Sequence, residues 1–155
     1  MNITPLFKKL NLKDQEELVV IQAPDSFEPE LEALEGRSIV RDAEQAAQVD
    51  FWLAFVTKQE EVNRLAKAAG EKAQGDAVVW FAYPKGTSKK YTCEFNRDTG
   101  WDALGENGFE AVRQVAIDED WSALRFRRVE YIQSMKRKQV RAMTPEGQKK
   151  VGGEK

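Results

Sequence analysis

Three mainly apolar runs constrain the fold of this 155-residue chain more than any other feature. They span Leu18–Ile21, Val49–Val56 and Ala77–Tyr83. None of them shows the regular alternation of apolar and polar residues that marks a strand with one solvated face. A strand that is apolar on both sides is typical of a parallel sheet covered by helices on each face. We therefore predict an α/β fold, a three-layer sandwich around a mostly parallel central sheet.

The segments between these runs contain helix signals. We predict a short helix over Pro29–Leu34, ended by Gly36, and then a weak strand over Ser38–Val40. A capping box formed by Thr57 and Glu60 predicts the start of a helix that continues to about residue 74, where a turn at residues 75–76 leads into the third apolar run. Strands separated by helices in this way favour parallel pairing.

The last third of the sequence has a different pattern. We predict a strand over Val112–Ile117, a turn at Asp118–Asp120 and a second strand over Trp121–Val129. In the second strand, apolar Leu124 and Phe126 alternate with arginines, which indicates one buried and one solvated face. This pattern predicts a C-terminal antiparallel hairpin at the margin of the sheet.

Composition excludes several kinds of chemistry. Histidine is absent, so imidazole bases, Ser-His-Asp triads and histidine-ligated metals are excluded. The single cysteine, Cys93, cannot form an internal disulfide, which favours a reducing, cytoplasmic location. Cys93 and the serines Ser26 and Ser88 have no recognisable partner base, so we nominate no catalytic residue. We expect no metal, no secretion signal and no membrane span.

Charge is distributed unevenly along the chain. Residues 1–76 contain nine Lys and Arg and fifteen Asp and Glu, whereas residues 77–155 contain fifteen and eleven. The net charges are −6 and +4, and the positive half can present a cationic face to an anion. Solvated helices and a basic tail would produce the same imbalance. We expect one domain over 1–155, with residues 134–155 as a polar, basic tail whose lack of interleaved aromatics makes a nucleic-acid partner unexpected.

Two motifs carry a resemblance to a known family. Val79–Lys85 and Asp118–Phe126 resemble signatures of an uncharacterised bacterial family, a domain of unknown function. The segments Leu18–Pro24, Asp50–Val56 and Asn96–Asp98 fit the same family, so the resemblance covers roughly residues 10–130. It implies no established activity.

A looser resemblance links Ala73–Trp80 to the second half of Rossmann-like methyltransferases. It implies a Rossmann-like sheet completed by an antiparallel strand pair, and S-adenosylmethionine as a cofactor. The chain departs from that pattern after its first strand, where 22–27 contain no glycine to let the backbone approach a ligand. Asp42 is a doubtful counterpart of the acidic residue that would hold a ribose. We therefore expect no cofactor.

Candidate ligand-binding residues follow the predicted strands. In an open α/β sheet, ligands bind beyond the carboxyl ends of the strands. After the third run, lysines, hydroxyl groups and Gly86 offer the groups that bind a phosphate or a carboxylate, although the spacing of a P-loop is absent. An exposed polar loop is the alternative. The nine candidate residues are Asp25, Ser26, Thr57, Tyr83, Lys85, Thr87, Ser88, Lys89 and Arg97.

Two polar clusters admit two interpretations each. Asp98 or Thr99 is expected to cap a helix that contains Trp101, with Arg97 paired to a nearby carboxylate; alternatively, Arg97 binds an anionic ligand. Asp118–Asp120 is expected to be a solvated turn rather than a cation or acid–base site. Asp120 is also placed to pair with Arg125 or Arg113.

The sequence thus favours a non-catalytic protein that binds an anionic small molecule or a protein partner. A reduced methyltransferase-like protein is the first alternative. The second is a structural or regulatory interaction protein that uses the face of Arg125 and Arg127.

Overall fold

The computed structural model describes residues 3–34 and 36–132. Its strands are β1 Glu17–Ile21, β2 Ser38–Val40, β3 Val49–Phe55, β4 Ala73–Pro84, β5 Phe109–Ala116 and β6 Trp121–Arg128. Its helices are α1 Pro5–Lys9, α2 Glu28–Glu32, α3 Gln59–Lys72 and α4 Asp102–Glu106. The strands form a sheet in the order β2-β1-β3-β4-β6-β5. β1 to β4 pair in parallel and β6 pairs antiparallel with both β4 and β5, as predicted.

Both faces of the sheet are covered. On one face, Trp52 and Phe81 pack with α3 residues such as Leu65. On the other, Trp80 packs in a second apolar cluster that includes Phe7 of α1. The predicted three-layer Rossmann-like architecture is therefore confirmed, and so is the assignment of Trp52 and Trp80 to the core, since neither is exposed.

The start of α3 differs from its prediction by one residue. The carboxylate that caps the helix is Glu61 and not Glu60: Glu61 Oε1 accepts the amide protons of Thr57 and Lys58 at 2.8 and 3.0 Å. The chain remains extended beyond β3, so Lys58 occupies the N-cap position. This places the third residue of the helix, Glu61, where its side chain can reach back to the free amides.

The end of α3 was also predicted wrongly. The helix stops at Lys72 and β4 begins at Ala73, so Gly75 and Asp76 lie within the strand. Gly75 has φ of +54°, which a glycine adopts without steric cost. The pairing register between β3 and β4 shifts at this level, so the strand accommodates an irregular residue where the sequence indicated a turn.

Other predicted segments fall on the observed elements. α2 and β2 lie where short elements were expected. No helix within residues 3–34 and 36–132 combines the length and hydropathy needed to cross a membrane. The predicted basic tail lies outside the described residues.

Candidate functional site

A cleft of about 760 Å³ opens at the carboxyl end of β4. The chain leaves β4 at Pro84 and folds back over the sheet before α4, and this connection forms the two walls. One wall is the segment 85–88 and the other includes the segment 95–98. The floor is contributed by the sheet itself, through Tyr83, Gln114 and Ser122.

The floor is a hydrogen-bonded polar triad. Gln114 Nε2 donates to the hydroxyl of Tyr83 and to Ser122 Oγ, both at 2.9 Å. Strand pairing sets this arrangement: Tyr83 lies opposite Ser122 in the β4–β6 ladder, and Gln114 comes from β5 on the same face. Tyr83 and Ser122 are each only 4% exposed.

Tyr83 is held in its neutral form. Burial raises the pKa of the Tyr83 phenol, and this outweighs the opposing effects of a hydrogen bond from Ser122 and the positive charge of Arg97. The phenol therefore stays protonated at neutral pH and can donate a hydrogen bond.

The first wall is tied to the turn between β5 and β6. Ser88 Oγ donates to Asp120 Oδ1 at 2.9 Å and accepts from the amide of Tyr91 at 3.2 Å, while the Lys85 amide donates to the Asp120 carbonyl at 2.8 Å. Ser88 lines the cleft, but its hydroxyl holds the loop. The prediction that Asp120 pairs with Arg125 or Arg113 is wrong. The loop after β4 folds back over the turn, so the partner of this carboxylate is Ser88.

The predicted turn at Asp118 is confirmed. Asp118 Oδ1 accepts the amide protons of Asp120 and Trp121 at 2.8 and 2.9 Å, which closes a local side-chain turn. Among the described residues, no group of three or more potential ligands (His, Cys, Asp or Glu) is arranged to hold a metal ion.

The second wall is supported by Trp101. Its ring packs against Phe95, Phe126 and Tyr83 at centroid distances of 5.0, 5.4 and 5.7 Å. Its Nε1 donates to the carbonyl of Asn96 at 2.9 Å. An aromatic cluster inside the protein thus fixes the backbone of the cleft wall.

The predicted cap of α4 is wrong. The N-cap residue is Trp101, whose side chain makes no cap hydrogen bond. Asp98 and Thr99 belong to an earlier turn, in which Asn96 Oδ1 accepts their amide protons at 2.8 and 3.1 Å. Gly100, with φ of +95°, separates this turn from the helix.

Cationic groups stand at the mouth of the cleft. Arg97 pairs with Asp98 at 3.4 Å, and both side chains are more than 60% exposed, so this ion pair contributes little. The side chains of Lys85 and Thr87 make no hydrogen bond or ion pair with any described residue. Lys89 is exposed and does not line the cleft.

Cys93 also lines the cleft and is half-buried. Burial raises the pKa of its thiol, and the nearby carboxylates of Glu94 and Glu61 act in the same direction. The thiol is therefore protonated at neutral pH and is a poor nucleophile.

The structure brings together five of the nine predicted residues and places four elsewhere. Asp25 and Ser26 are exposed in a 3₁₀ turn that Phe27 anchors to the core. The Thr57 carbonyl accepts the amide proton of Glu94 at 3.0 Å, so Thr57 borders the connection without lining the cleft. Lys89 is the fourth.

A side-chain bridge spans the carboxyl ends of β1 and β3. Gln22, directly after β1, has φ of +59°, and its Nε2 donates to the carbonyl of Phe55 at 2.7 Å and to Glu61 Oε2 at 3.0 Å. Burial raises the pKa of Glu61, but the hydrogen bonds from Thr57, Lys58 and Gln22 outweigh it and lower the pKa overall. Glu61 is thus an ionised carboxylate that caps α3 and accepts a hydrogen bond from Gln22.

The candidate residues missed from the sequence are Gln114 and Ser122. The sequence contains a signal for Ser122: it is a polar residue that shares the inward-facing side of β6 with Leu124 and Phe126. Gln114 had none, since its role depends on the long-range pairing of β5 with β6.

No family model matches the chain, and no curated protein sequence matches it. The structure is similar to the pyocyanin biosynthetic protein PhzM, with a TM-score of 0.49 and 13% identity over 80% of this chain, which spans 54% of that one. It is similar to the fibrillarin pre-rRNA processing protein of Methanococcus jannaschii, with a TM-score of 0.49 and 14% identity over 81% of this chain and 69% of that one.

A third similar structure is the N-methyltransferase NodS of Bradyrhizobium japonicum WM9, with a TM-score of 0.44 and 18% identity over 72% of this chain and 73% of that one. Likenesses at this level assign no function to the chain. The resemblance to an uncharacterised bacterial family stays a prediction.

Proposed function

We propose that this protein binds a small anionic molecule, without transforming it, in the cleft at the end of β4. The observation that carries the proposal is the combination of a neutral polar floor, in which Tyr83 and Ser122 are buried, with cationic side chains at the mouth that are unpaired or only weakly paired. A cleft of about 760 Å³ is within the usual range for small-molecule sites, about 300–1,000 Å³.

A count of protons on the floor indicates what the ligand must offer. Gln114 Nε2 carries two protons and donates to two hydroxyl oxygens. The hydroxyl groups of Tyr83 and Ser122 carry one proton each, and at most one of these can be shared between them. At least one hydroxyl proton remains for an acceptor, so the floor favours a ligand oxygen.

The mouth determines the charge of the ligand. Lys85 offers an ammonium group, and the guanidinium of Arg97 is only weakly engaged by Asp98. The ligand we propose therefore carries an oxyanion near the mouth and a second oxygen that reaches the floor, as in a sugar phosphate or an acyl anion. The absence of histidine and the protonated state of Cys93 support binding rather than reaction.

A thermal-shift screen of nucleotides, sugar phosphates and acyl anions tests the proposal. We expect at least one ligand to raise Tm in proportion to its concentration, as binding to the folded state requires. Lys85→Ala should weaken this effect. Lys89→Ala removes the same charge from the same loop, outside the cleft, and should leave it unchanged. A screen without any hit, or equal responses of the two variants, would contradict the small-molecule proposal.

A methyltransferase-like function is the alternative, favoured by the antiparallel pair β5–β6, which the resemblance implies. The bridge from Gln22 to Phe55 and Glu61 opposes it, because it occupies the strand ends where such a cofactor is expected. Calorimetry with S-adenosylmethionine distinguishes the two. We expect no binding at millimolar cofactor, and saturable binding would replace our proposal with this one.

A further inference from the structure

Two arginines face each other on the side of the sheet opposite the cleft floor. Arg113 of β5 and Arg125 of β6 are direct partners in the antiparallel ladder, so their side chains project from the same face. Gln114 and Ser122 point to the other face, where they form the cleft floor. The pair therefore belongs to a separate surface.

Neither arginine has a carboxylate partner among the described residues. Arg113 donates only to the neutral Oδ1 of Asn11, at 3.2 Å. The side chain of Arg125 makes no hydrogen bond to a described residue, and its Nε is buried without a partner. Burial lowers the pKa of Arg125, and the positive charges of Arg127 and Arg113 lower it further, against the opposing effect of the Asp76 carboxylate.

Arg127, on the same face, differs from these two arginines because its charge is paired with a carboxylate. It lies two residues from Arg125, and it donates to both carboxylate oxygens of Asp76, at 2.8 and 2.6 Å. Asp76 is thus already engaged by one guanidinium, and no described carboxylate pairs with Arg113 or Arg125, which leaves these two as adjacent cations.

Like charges directly opposite each other destabilise a sheet, and a desolvated cation without an acceptor carries a further cost. An oxyanion removes both costs, because a guanidinium presents parallel N–H groups that match two oxygens of one ligand. We propose that Arg113 and Arg125 form an oxyanion-binding site on the sheet face opposite the cleft. The group it takes is a carboxylate or a phosphate, from a free anion or from an acidic segment of a partner protein.

Calorimetry at constant ionic strength tests this site with two probes. One is inorganic phosphate, and the other is a capped hexapeptide of alternating Glu and Thr, with a Gln–Thr peptide as its uncharged control. We expect saturable binding of at least one anionic probe and none of the control peptide. A peptide that binds about tenfold or more tightly than phosphate assigns the site to a partner protein; the reverse order assigns it to a free oxyanion.

Variants locate the binding. Arg125→Met and Arg113→Met should each weaken it by about tenfold or more, as the loss of a charge-assisted hydrogen bond predicts. Arg64→Met removes the same charge from an exposed position of α3 and should change affinity by less than about twofold. Circular dichroism confirms that each variant is folded. If neither probe binds the wild type, or Arg125→Met binds as the wild type does, the proposal is overturned.

A second readout concerns stability without ligand. In a buffer free of phosphate and carboxylates, Arg125→Met should have a Tm equal to or above that of the wild type, since it removes an unpaired, desolvated charge. A clear fall in Tm would mean that Arg125 stabilises the fold by itself and needs no anion, which would also overturn the proposal.

Discussion

Two gaps lie at the carboxyl edge of the sheet: one between the ends of β1 and β3, and the cleft beyond β4 and β6. They differ in whether their polar groups are already hydrogen-bonded to one another. Between β1 and β3, where the strand order reverses, Gln22 and Glu61 satisfy one another and the backbone. Beyond β4 and β6, Tyr83 and Ser122 keep a hydroxyl proton to donate, and a loop encloses space above them. The rule that ligands bind at the strand-order reversal points to this edge, on which the cleft also lies. The side chains then decide which gap on that edge is closed and which is open.

The two gaps are also stabilised differently. The first depends on a short hydrogen-bond network around one ionised carboxylate, Glu61. The second depends on an aromatic cluster around Trp101 that holds the cleft wall from inside. We therefore expect the stability cost of substitutions in the first gap to depend on pH. The cost of substitutions under the second gap should depend mainly on the buried volume that is lost.

The largest effect is expected from Trp101→Ala. This residue is 3% exposed and contacts Tyr83, Phe95 and Phe126, so the substitution should cost about 3–5 kcal/mol of unfolding free energy. Urea denaturation measures it. Tyr131→Ala, at an aromatic residue that is 37% exposed, serves as the comparison, with a smaller expected cost, below about 2 kcal/mol. A cost below about 1 kcal/mol for Trp101→Ala would show that the cluster does not support the wall.

A smaller, charge-dependent effect is expected in the closed gap. Glu61→Ala removes the acceptor of two backbone amides and of Gln22, so it should cost about 1–2 kcal/mol at pH 7. Glu60→Ala changes the neighbouring carboxylate, which is 71% exposed, and should cost less than about 0.5 kcal/mol. Equal costs would contradict the assignment of Glu61 as the cap.

The same gap predicts a dependence on pH. The pKa of Glu61 is lower in the folded protein than its ordinary value of 4.5. Its contribution is therefore complete above about pH 4.5 and is lost as the pH falls through the folded value. The difference in unfolding free energy between the wild type and Glu61→Ala should shrink in this range, as urea titrations from pH 7 to 3 would reveal. A difference that stays constant on acidification would exclude the ionised carboxylate as its source.

The sequence predicted the strands well because burial on both faces leaves a local signature. Leu18–Ile21 and Ala77–Tyr83 are apolar without interruption, and the alternation after Leu124 marks the hairpin. It predicted helix ends less well, because a cap is decided by which amides remain free after the tertiary structure forms. Glu61 took the role assigned to Glu60, whereas the N-cap of α4, assigned to Asp98 or Thr99, is Trp101. The partners of Glu61 include Gln22, thirty-nine residues away in sequence.

The residues that line the cleft were predicted only in part, because some of them come together only through the tertiary structure. Loop residues that follow β4 directly, such as Lys85 and Thr87, reach the cleft because they cannot lie far from the strand end. Asp25 and Ser26 follow a strand on the same edge, but a 3₁₀ turn fixed by Phe27 directs them away. Gln114 and Ser122 become neighbours only through the pairing of β5 with β6, which spacing alone does not specify.

An intermediate effect is expected where the cleft loop is tied to the hairpin turn. Ser88→Ala removes the bond to Asp120 and leaves the Tyr91 amide without its acceptor, at a cost of about 1 kcal/mol. Hydrogen exchange of the Tyr91 amide should accelerate. Thr87→Ala alters a hydroxyl on the same loop that holds no described residue, and it should leave that exchange rate unchanged. Equal rates in both variants would mean that Ser88 does not anchor the loop.

The smallest effect on stability is expected from Tyr83→Phe, which keeps the ring and removes only the hydroxyl. Gln114 retains its bond to Ser122, so the cost at pH 7 should stay within about 1 kcal/mol.

The variant nevertheless sharpens the contrast between the two gaps, because its pH dependence has the opposite sense to that of Glu61. The pKa of Tyr83 is raised above its ordinary value of 10.0, so its contribution is complete below about pH 10 and is lost as the pH rises further. The stability advantage of the wild type over Tyr83→Phe should therefore fall above pH 10, as measured by urea titrations from pH 7 to 11. Ser122→Ala removes the other hydroxyl without removing a titrating group, and its difference from the wild type should change little over this range. If the advantage over Tyr83→Phe also stays flat, the fold does not raise the pKa of the Tyr83 phenol, and the contrast with Glu61 fails.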